Sequence, residues 1–161
     1  MRAVPEPAVM LAAAAQVRVF AAEPALSATS ASALCTALER LLAQFVREGR
    51  CASGQATAEA GGRFVVVTWE GSALSGCSHD KLAQVVTRYA SEAASAILDA
   101  PPIAIGIPPR LTDRAGLRAE LAAGTAERMI PVWPRWAATL GEWQAGPVPL
   151  AESPFARLVN G

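Results

Sequence analysis

The first fifty residues show a strand pattern followed by a helix pattern. Residues 17–20 (Val-Arg-Val-Phe) alternate, which predicts a first strand. Apolar residues then recur at i, i+4, i+7, i+8, i+11 and i+12, the spacing of one helix face, and Gly49 follows as the stop. The apolar positions are Leu34, Leu38, Leu41, Leu42, Phe45 and Val46, and the candidate N-caps are Ser27, Thr29 and Ser30.

Two strands joined by a hairpin are predicted next. Residues 51–59 alternate small and polar side chains, a pattern typical of a strand with one solvent-facing side. Residues 60–62 (Ala-Gly-Gly) predict the turn, because glycine adopts positive φ without a steric penalty. Residues 64–69 are almost all apolar, which predicts a central strand covered on one face and shielded on the other.

A second helix and a fourth strand are predicted after this hairpin. Following a turn of small residues at 71–76, Ser78 is the expected cap of a helix that ends before Pro101. Its apolar side comprises Leu82, Val85, Val86, Tyr89, Ala93 and Ile97. Residues 103–107 (Ile-Ala-Ile-Gly-Ile) are apolar and precede two prolines, and they predict the fourth strand.

The predicted order is therefore strand, helix, strand, strand, helix, strand. This order predicts an α+β fold of the ferredoxin-like βαββαβ type, in which two helices cover one face of a four-stranded antiparallel sheet. At this length one domain is expected over residues 1–161. We expect it to comprise a lead at 1–15, the βαββαβ core at 16–109 and a C-terminal extension at 110–161.

The C-terminal extension is less regular. Thr112 and Asp113 are expected to open a third helix that stops at Gly124. Residues 129–133 predict a short edge strand, since Pro131 lacks the N–H that a central strand needs. An irregular tail rich in Trp and Pro is expected to pack on the core, with a ligand-stacking surface as the alternative. Its residues include Trp136, Trp143, Pro147, Pro149 and Phe155.

Composition argues against several classes of function. The chain has 14 basic and 14 acidic residues and no basic block, so nucleic acid is not an expected partner. Three cysteines at irregular spacing give neither a disulfide framework nor a zinc pattern, which favours a reduced, cytoplasmic setting. His79 is the only histidine, so no metal site is expected, and no cofactor is indicated.

The N-terminal residues superficially resemble a short secretory signal, with Arg2 before the apolar stretch 8–15. Pro5, Glu6 and Pro7 interrupt that pattern, and the first strand would follow any cleavage almost immediately. No apolar run approaches the roughly 20 residues that a membrane-spanning helix needs. Neither export nor a membrane partner is expected.

Several segments follow one another in a recognisable order. They are Val17-Arg18-Val19-Phe20, Leu41-Leu42-x-x-Phe45, Phe64-Val65-Val66, Ser75-Gly76-Cys77-Ser78-x-Asp80 and Val148-Pro149-x-x-Glu152-Ser153-x-x-x-Arg157. In this order they resemble a small uncharacterised bacterial family that is best populated in Bacteroidetes. The resemblance covers most of the chain, and Ser-Gly-Cys-Ser-x-Asp is its most specific element. It implies candidate site residues but no reaction: Ser75, Gly76, Cys77, Ser78, Asp80, Ser153 and Arg157.

Members of that family are sometimes labelled ABC-transporter ATPases, a label that this sequence does not support. No G-x-x-x-x-G-K-[ST] phosphate loop occurs in it. The chain also departs from the family at two positions. His79 stands where the family usually has an aliphatic residue, which argues against a catalytic histidine. Pro154 stands where a tryptophan is expected, which leaves the role of the tail open.

The turn at Ser75–Ser78 is the main candidate site. A helix that begins there presents unpaired backbone N–H groups and about half a positive charge, as in known anion sites. Gly76 lets a ligand approach closely, whereas Asp80 in the first turn would repel an anion. We expect a binding module for a small anionic ligand, closed by the tail at 143–157. Arg157, one turn from Ser153, has a guanidinium that can form two parallel hydrogen bonds with a carboxylate or phosphate.

Two other classes of function remain open. A thiol at a helix N-terminus is activated as a nucleophile, so Cys77 is a candidate catalytic residue of a cysteine-dependent enzyme. Adjacency does not imply a relay with His79 and Asp80, because consecutive helical side chains point about 100° apart. The third class is an interaction module or homodimer that pairs through a free sheet face or through the 51–59 strand.

Overall fold

The computed structural model describes residues 12–98 and 103–160, which form an α+β fold with two antiparallel sheets. The first part of the chain contains the first sheet and its two helices: β1 (Gln16–Glu23), α1 (Ala28–Arg47), β2 (Ser53–Glu59), β3 (Phe64–Glu70), α2 (Gly76–Glu92) and β4 (Ala96–Leu98). The second, C-terminal part contains the second sheet and three α-helices: β5 (Ile103–Ile105), β6 (Arg110–Thr112), α3 (Arg114–Ala123), β7 (Pro131–Val132), α4 (Leu140–Gln144), β8 (Val148–Pro149) and α5 (Arg157–Asn160). Within these residues, no helix combines the length and the apolar character needed to cross a membrane.

The first sheet has the strand order β2-β3-β1-β4, and every neighbouring pair is antiparallel. Val19 of β1 lies opposite Val66 of β3, and Ala56 of β2 lies opposite Val67. The almost wholly apolar β3 is therefore a central strand, as its sequence predicts. β2 and β4 are the two edges of this sheet.

Capping side chains fix the ends of α1 and α3. The Oγ of Ser27 accepts a hydrogen bond from the N–H of Ser30 at 3.2 Å, which satisfies one of the free donors at the start of α1. At the start of α3, Oδ1 of Asp113 accepts a hydrogen bond from the N–H of Gly116 at 2.6 Å. Gly124 ends α3 in the left-handed region, with φ of 75°. These boundaries were predictable because caps act locally.

The β2–β3 hairpin turns at Gly61 and Gly62, which have φ of 65° and 85°. At Gly62 the chain also passes unusually close to another segment. The N–H of Leu26 donates to the carbonyl oxygen of Gly62 at 2.9 Å, and a Cβ on Gly62 would lie 2.0 Å from the carbonyl oxygen of Leu26. The hairpin therefore requires glycine at this position for space as well as for φ.

The first sheet is covered on both faces. On one face α1 and α2 pack against apolar side chains such as Phe20 and Val65. On the other face Val19 and Phe64 pack with side chains of the second part, including Trp133 and Trp143. The central strands are thus sandwiched between a helix layer and the C-terminal part, so the expectation of a free sheet face is wrong.

The predicted fourth strand belongs to the other sheet. The strand that pairs with β1 is Ala96–Leu98, only three residues long, whereas Ile103–Ile105 pairs with β6 and β7. A three-residue strand carries too little alternation to be read from sequence, and Ile97 also fits the helical spacing of α2. Pairing with β1 makes residues 96–98 a strand instead of a continuation of the helix. α2 therefore ends at Glu92, earlier than the predicted end before Pro101.

Two further boundaries differ from expectation. β7 pairs with β5 on one side and with β8 on the other, so it is not an edge strand. Pro131 is tolerated because this strand has only two residues and few ladder bonds to lose. Most of the predicted lead at 1–15 lies outside the described residues.

Candidate functional site

The start of α2 is an exposed bend with two open donors. Ser75 is the N-cap, since its Oγ accepts from the N–H of Ser78 at 3.2 Å and its carbonyl accepts from the N–H of His79 at 3.0 Å. The N–H groups of Gly76 and Cys77 have no partner in the described part of the chain. Both residues are exposed, and nothing lies within 4 Å of where a Cβ on Gly76 would be.

Ser78 was expected as the cap, but it lies one turn inside the helix. Its side chain is almost completely buried, with 1% exposed. Its Oγ accepts a hydrogen bond from Nη1 of Arg50 at 2.9 Å and another from the Oγ of Ser75 at 3.1 Å. Ser78 therefore cannot offer a free hydroxyl to a ligand. It connects the cap to a guanidinium instead.

Arg50 reaches the bend from the C-terminal end of α1. It follows Gly49, whose φ of 73° turns the chain out of the helix. Nε of Arg50 also lies 2.6 Å from Oε2 of Glu48. The pKa of the Glu48 carboxyl is lowered by a hydrogen bond from Gln44 and by the charge of Arg50. Glu48 thus partly neutralises the guanidinium that lies under the bend.

A second arginine lies against the same first turn of α2. Nη1 of Arg18 donates to the carbonyl oxygen of His79 at 3.1 Å and lies 3.3 Å from Nδ1 of its ring. The Trp69 indole and the imidazole pack edge to face, with ring centroids 5.5 Å apart. Burial, followed by the charge of Arg18, lowers the pKa of His79. Arg18 and Arg50 come from distant segments, so no local sequence pattern places them here.

The pKa shift of His79 predicts a destabilisation in mild acid. Because the folded protein resists protonating His79, the unfolded chain binds the proton more readily as pH falls through about 6.5. The contribution of His79 to stability should therefore be complete well above that pH and should be lost progressively as the pH falls below it. The single imidazole can be followed directly by NMR, and its midpoint should lie below 6.5. The stability of His79→Gln should lose this dependence; an unchanged pH profile would contradict the assignment.

Within residues 12–98 and 103–160, no side chain is hydrogen-bonded to Cys77 as a base. The thiol is exposed, while the His79 ring is engaged with Arg18 and Trp69, and no hydrogen bond joins the two side chains. The other two thiols are less suited to nucleophilic chemistry. Burial raises the pKa of both Cys35 and Cys51, and the charge of Glu39 adds to the effect at Cys35. A cysteine-dependent reaction therefore gains no support from the geometry.

The remaining candidate residues lie in different surroundings. Asp80 is exposed and lies at a shallow groove of about 680 Å³ along α2. The Oγ of Ser153 is buried, donates to the carbonyl oxygen of Leu150 at 2.7 Å and accepts from the N–H of Phe155. Arg157 begins α5, which packs against α3. No hydrogen bond or ion pair brings Ser153 or Arg157 to the Ser75–Ser78 bend.

The expected closing tail is also elsewhere. Trp143 packs edge-on against Phe64 at 5.3 Å, on the face of the sheet that α1 and α2 do not cover. Its indole Nε1 donates to Glu59 at 3.1 Å. These contacts favour packing over ligand stacking for Trp143, whereas Trp136 is 39% exposed and contacts Phe155.

Chemically, the bend offers two backbone donors and the positive end of a 17-residue helix, with a guanidinium beneath it. These groups suit a carboxylate or phosphate oxygen, while Asp80 and Glu48 limit the total positive charge. The described residues contain no cluster of three or more His, Cys, Asp or Glu side chains that could hold a metal. No protein-family model matches this chain, and neither a curated protein nor a solved structure matches it.

Proposed function

We propose that the protein binds a small carboxylate- or phosphate-bearing ligand at the amino end of α2. The observation that carries this proposal is the pair of open N–H groups on Gly76 and Cys77 at an exposed helix start. Two convergent N–H donors with the helix dipole form the usual backbone cradle for an anion. Main-chain N–H groups would hold the ligand, and nearby charged side chains would raise or lower its affinity.

Arg50 is the side chain that raises the affinity of this cradle. Its guanidinium is fixed by Ser78 and by Glu48, so little entropy is lost when it attracts an anion. Lys81 lies near enough to Glu48 to contribute to lowering the pKa of that carboxyl. Asp80 opposes binding, which favours a weak or moderate affinity and a ligand with further contacts along the α2 groove.

We also propose the finer fold assignment. The antiparallel order β2-β3-β1-β4, with α1 and α2 on one face, supports a ferredoxin-like βαββαβ unit. The cluster that joins Val19 and Phe64 to Trp143 supports a single domain. Three cysteines without disulfide bonds support a cytoplasmic location. The resemblance of the Ser75–Asp80 sequence motif supports membership of the small bacterial family.

Gly76→Pro tests the anion cradle. Proline at the first helical position removes one N–H donor yet suits the helix, and Ser75 already has the extended backbone (φ −67°, ψ 162°) that proline requires before it. Gly76→Ala keeps the donor and fills open space. Titration with inorganic phosphate, followed by the amide resonances of Cys77 and Ser78, should give an affinity about 5- to 10-fold weaker for Gly76→Pro and nearly unchanged for Gly76→Ala.

Acetate serves as a second probe in the same titration. A carboxylate that shifts the same amides would show that the bend recognises an anionic oxygen in general. Equal affinities for the two Gly76 variants, or shifts that are largest away from residues 75–78, would overturn the proposal. Arg50→Gln should weaken phosphate binding further while leaving the N–H donors in place.

A further inference from the structure

The packing of α1 on β2 changes along the length of the helix. In the C-terminal half of α1, Leu42 packs tightly on the strand, since a Cβ on Gly54 would lie 3.0 Å from Cδ2 of Leu42. In the N-terminal half, the residues of α1 that face the hairpin end of β2 are all small. They are Ala28, Ala31, Ser32 and Cys35, at the i, i+3, i+4 and i+7 spacing of one helix face.

A cleft of about 510 Å³ lies between these residues and the β2–β3 hairpin. The height of α1 above the sheet is set by the large side chains of its core face, such as Leu34, Leu38 and Phe45, which have no exposed surface. The alanines and glycines on the hairpin side are too short to fill the space that this height leaves. Because protein interiors contain few voids larger than a water molecule, a gap of this size between two packed elements is unusual.

The cleft has a buried floor and an exposed rim. Its buried residues include Leu26, Ala31 and Ala56, and its exposed residues include Ser32 and Ala58. A molecule in the cleft therefore contacts side chains above the floor and needs no access to the main chain of β2. The volume falls within the range of about 300–1,000 Å³ that is typical of small-molecule pockets.

The walls of the cleft favour a ligand without charge. None of the ten described residues that line it is charged. Burial, followed by the charge of Glu39, raises the pKa of the Cys35 thiol, so this thiol is neutral near pH 7. A charged group placed here would lose hydration without gaining a counterion. An apolar group would gain about 25 cal/mol for each Å² that it removes from water.

We propose that this cleft binds an uncharged, largely apolar small molecule. Most of its contacts come from alanine, leucine and glycine, while Ser32 and Cys35 are the polar side chains that α1 contributes. An extended peptide does not suit the cleft, because only 4% of Ala56 is exposed and the strand is covered at that point. The site is separate from the anion cradle: it lies at the hairpin end of β3, whereas the Ser75–Ser78 bend follows the other end.

Fluorescence titration with N-phenyl-1-naphthylamine tests this proposal. This dye is uncharged and brightens in apolar surroundings, and 8-anilinonaphthalene-1-sulfonate has the same rings with an added negative charge. Excess inorganic phosphate keeps the sulfonate from the α2 bend. The uncharged dye should bind saturably at one site per chain, and the sulfonate should bind at least about tenfold more weakly. Equal affinities would contradict a preference for an uncharged ligand.

Two variants locate the bound dye. Ser32→Leu places a large side chain in the cleft, whereas Ala33→Leu adds the same side chain at the next position of α1, which is exposed and does not line the cleft. Leucine suits a helix at both positions. The uncharged dye should bind Ser32→Leu at least about tenfold more weakly than the parent and Ala33→Leu within about twofold. A dye that binds both variants like the parent occupies another site, and the proposal is then wrong.

Alkylation provides a second measurement that needs no variant. Cys35 lines the cleft and Cys77 lies on the exposed bend of α2, so the bound dye should slow iodoacetamide modification of Cys35 and leave the rate at Cys77 unchanged. This comparison decides the matter if Ser32→Leu fails to fold. Absence of saturable binding, an unprotected Cys35, or a dimer in light scattering that Ser32→Leu disrupts would each overturn the proposal.

Discussion

Gly62→Ala should lower the free energy of unfolding by about 3–5 kcal/mol, whereas Gly61→Ala should cost only about 1 kcal/mol. Both glycines have positive φ, so both variants introduce backbone strain of roughly the same size. Only at Gly62 would the new Cβ lie 2.0 Å from the carbonyl oxygen of Leu26, while nothing lies within 4 Å at Gly61. The additional cost is that of moving two main-chain segments apart.

Urea unfolding of the two variants measures this difference under one set of conditions. The midpoint of Gly62→Ala should fall far below that of Gly61→Ala, with similar slopes if both remain two-state. Equal midpoints would show that the Leu26 segment moves away freely. In that case the close approach at the hairpin would not be a constraint on the fold.

Phe64→Ala should cost about 3–5 kcal/mol, as expected for a large side chain with no exposed surface. The ring packs against two tryptophans that also contact each other, with centroids 5.4 Å from Trp133 and 5.3 Å from Trp143. Its removal leaves a cavity between the first sheet and the C-terminal part. Because that interface joins the two parts, we expect the loss to affect the whole molecule rather than one sheet.

Phe64→Leu is the matched control, since it keeps most of the volume and should cost about 1–2 kcal/mol. Tryptophan fluorescence reports mainly the C-terminal part, which holds three of the four tryptophans, and far-ultraviolet circular dichroism reports the whole fold. In Phe64→Ala both signals should change at the same urea concentration, below that of the parent. Loss of the fluorescence signal alone would show that the two parts unfold separately.

The sequence predicts an element well where its signals are local and repeated. The six-residue apolar stripe of α1 extends over three turns, and its cap at Ser27 contacts only Ser30. The start and stop of α3 are set in the same way by Asp113 and Gly124. In each case the residues that decide the structure lie within a few positions of it.

Prediction fails where pairing partners are distant. β4 has three residues and is defined by β1, more than seventy positions earlier, so its own pattern could not separate it from the end of α2. The same limit applies at the candidate site. The sequence predicts the bend at Ser75–Ser78, but Arg50 and Arg18 reach it through tertiary packing alone.

The second face of the first sheet has a consequence for synthesis of the chain. Val17 donates to the carbonyl of Ala138, and Val19 and Phe64 are covered by Trp133 and Trp143. On the ribosome, the amino-terminal strands emerge well before these covering residues, by a delay on the order of seconds at about 5–20 residues per second. Throughout that interval the apolar face that Trp133 and Trp143 later cover is exposed to solvent on the nascent strands.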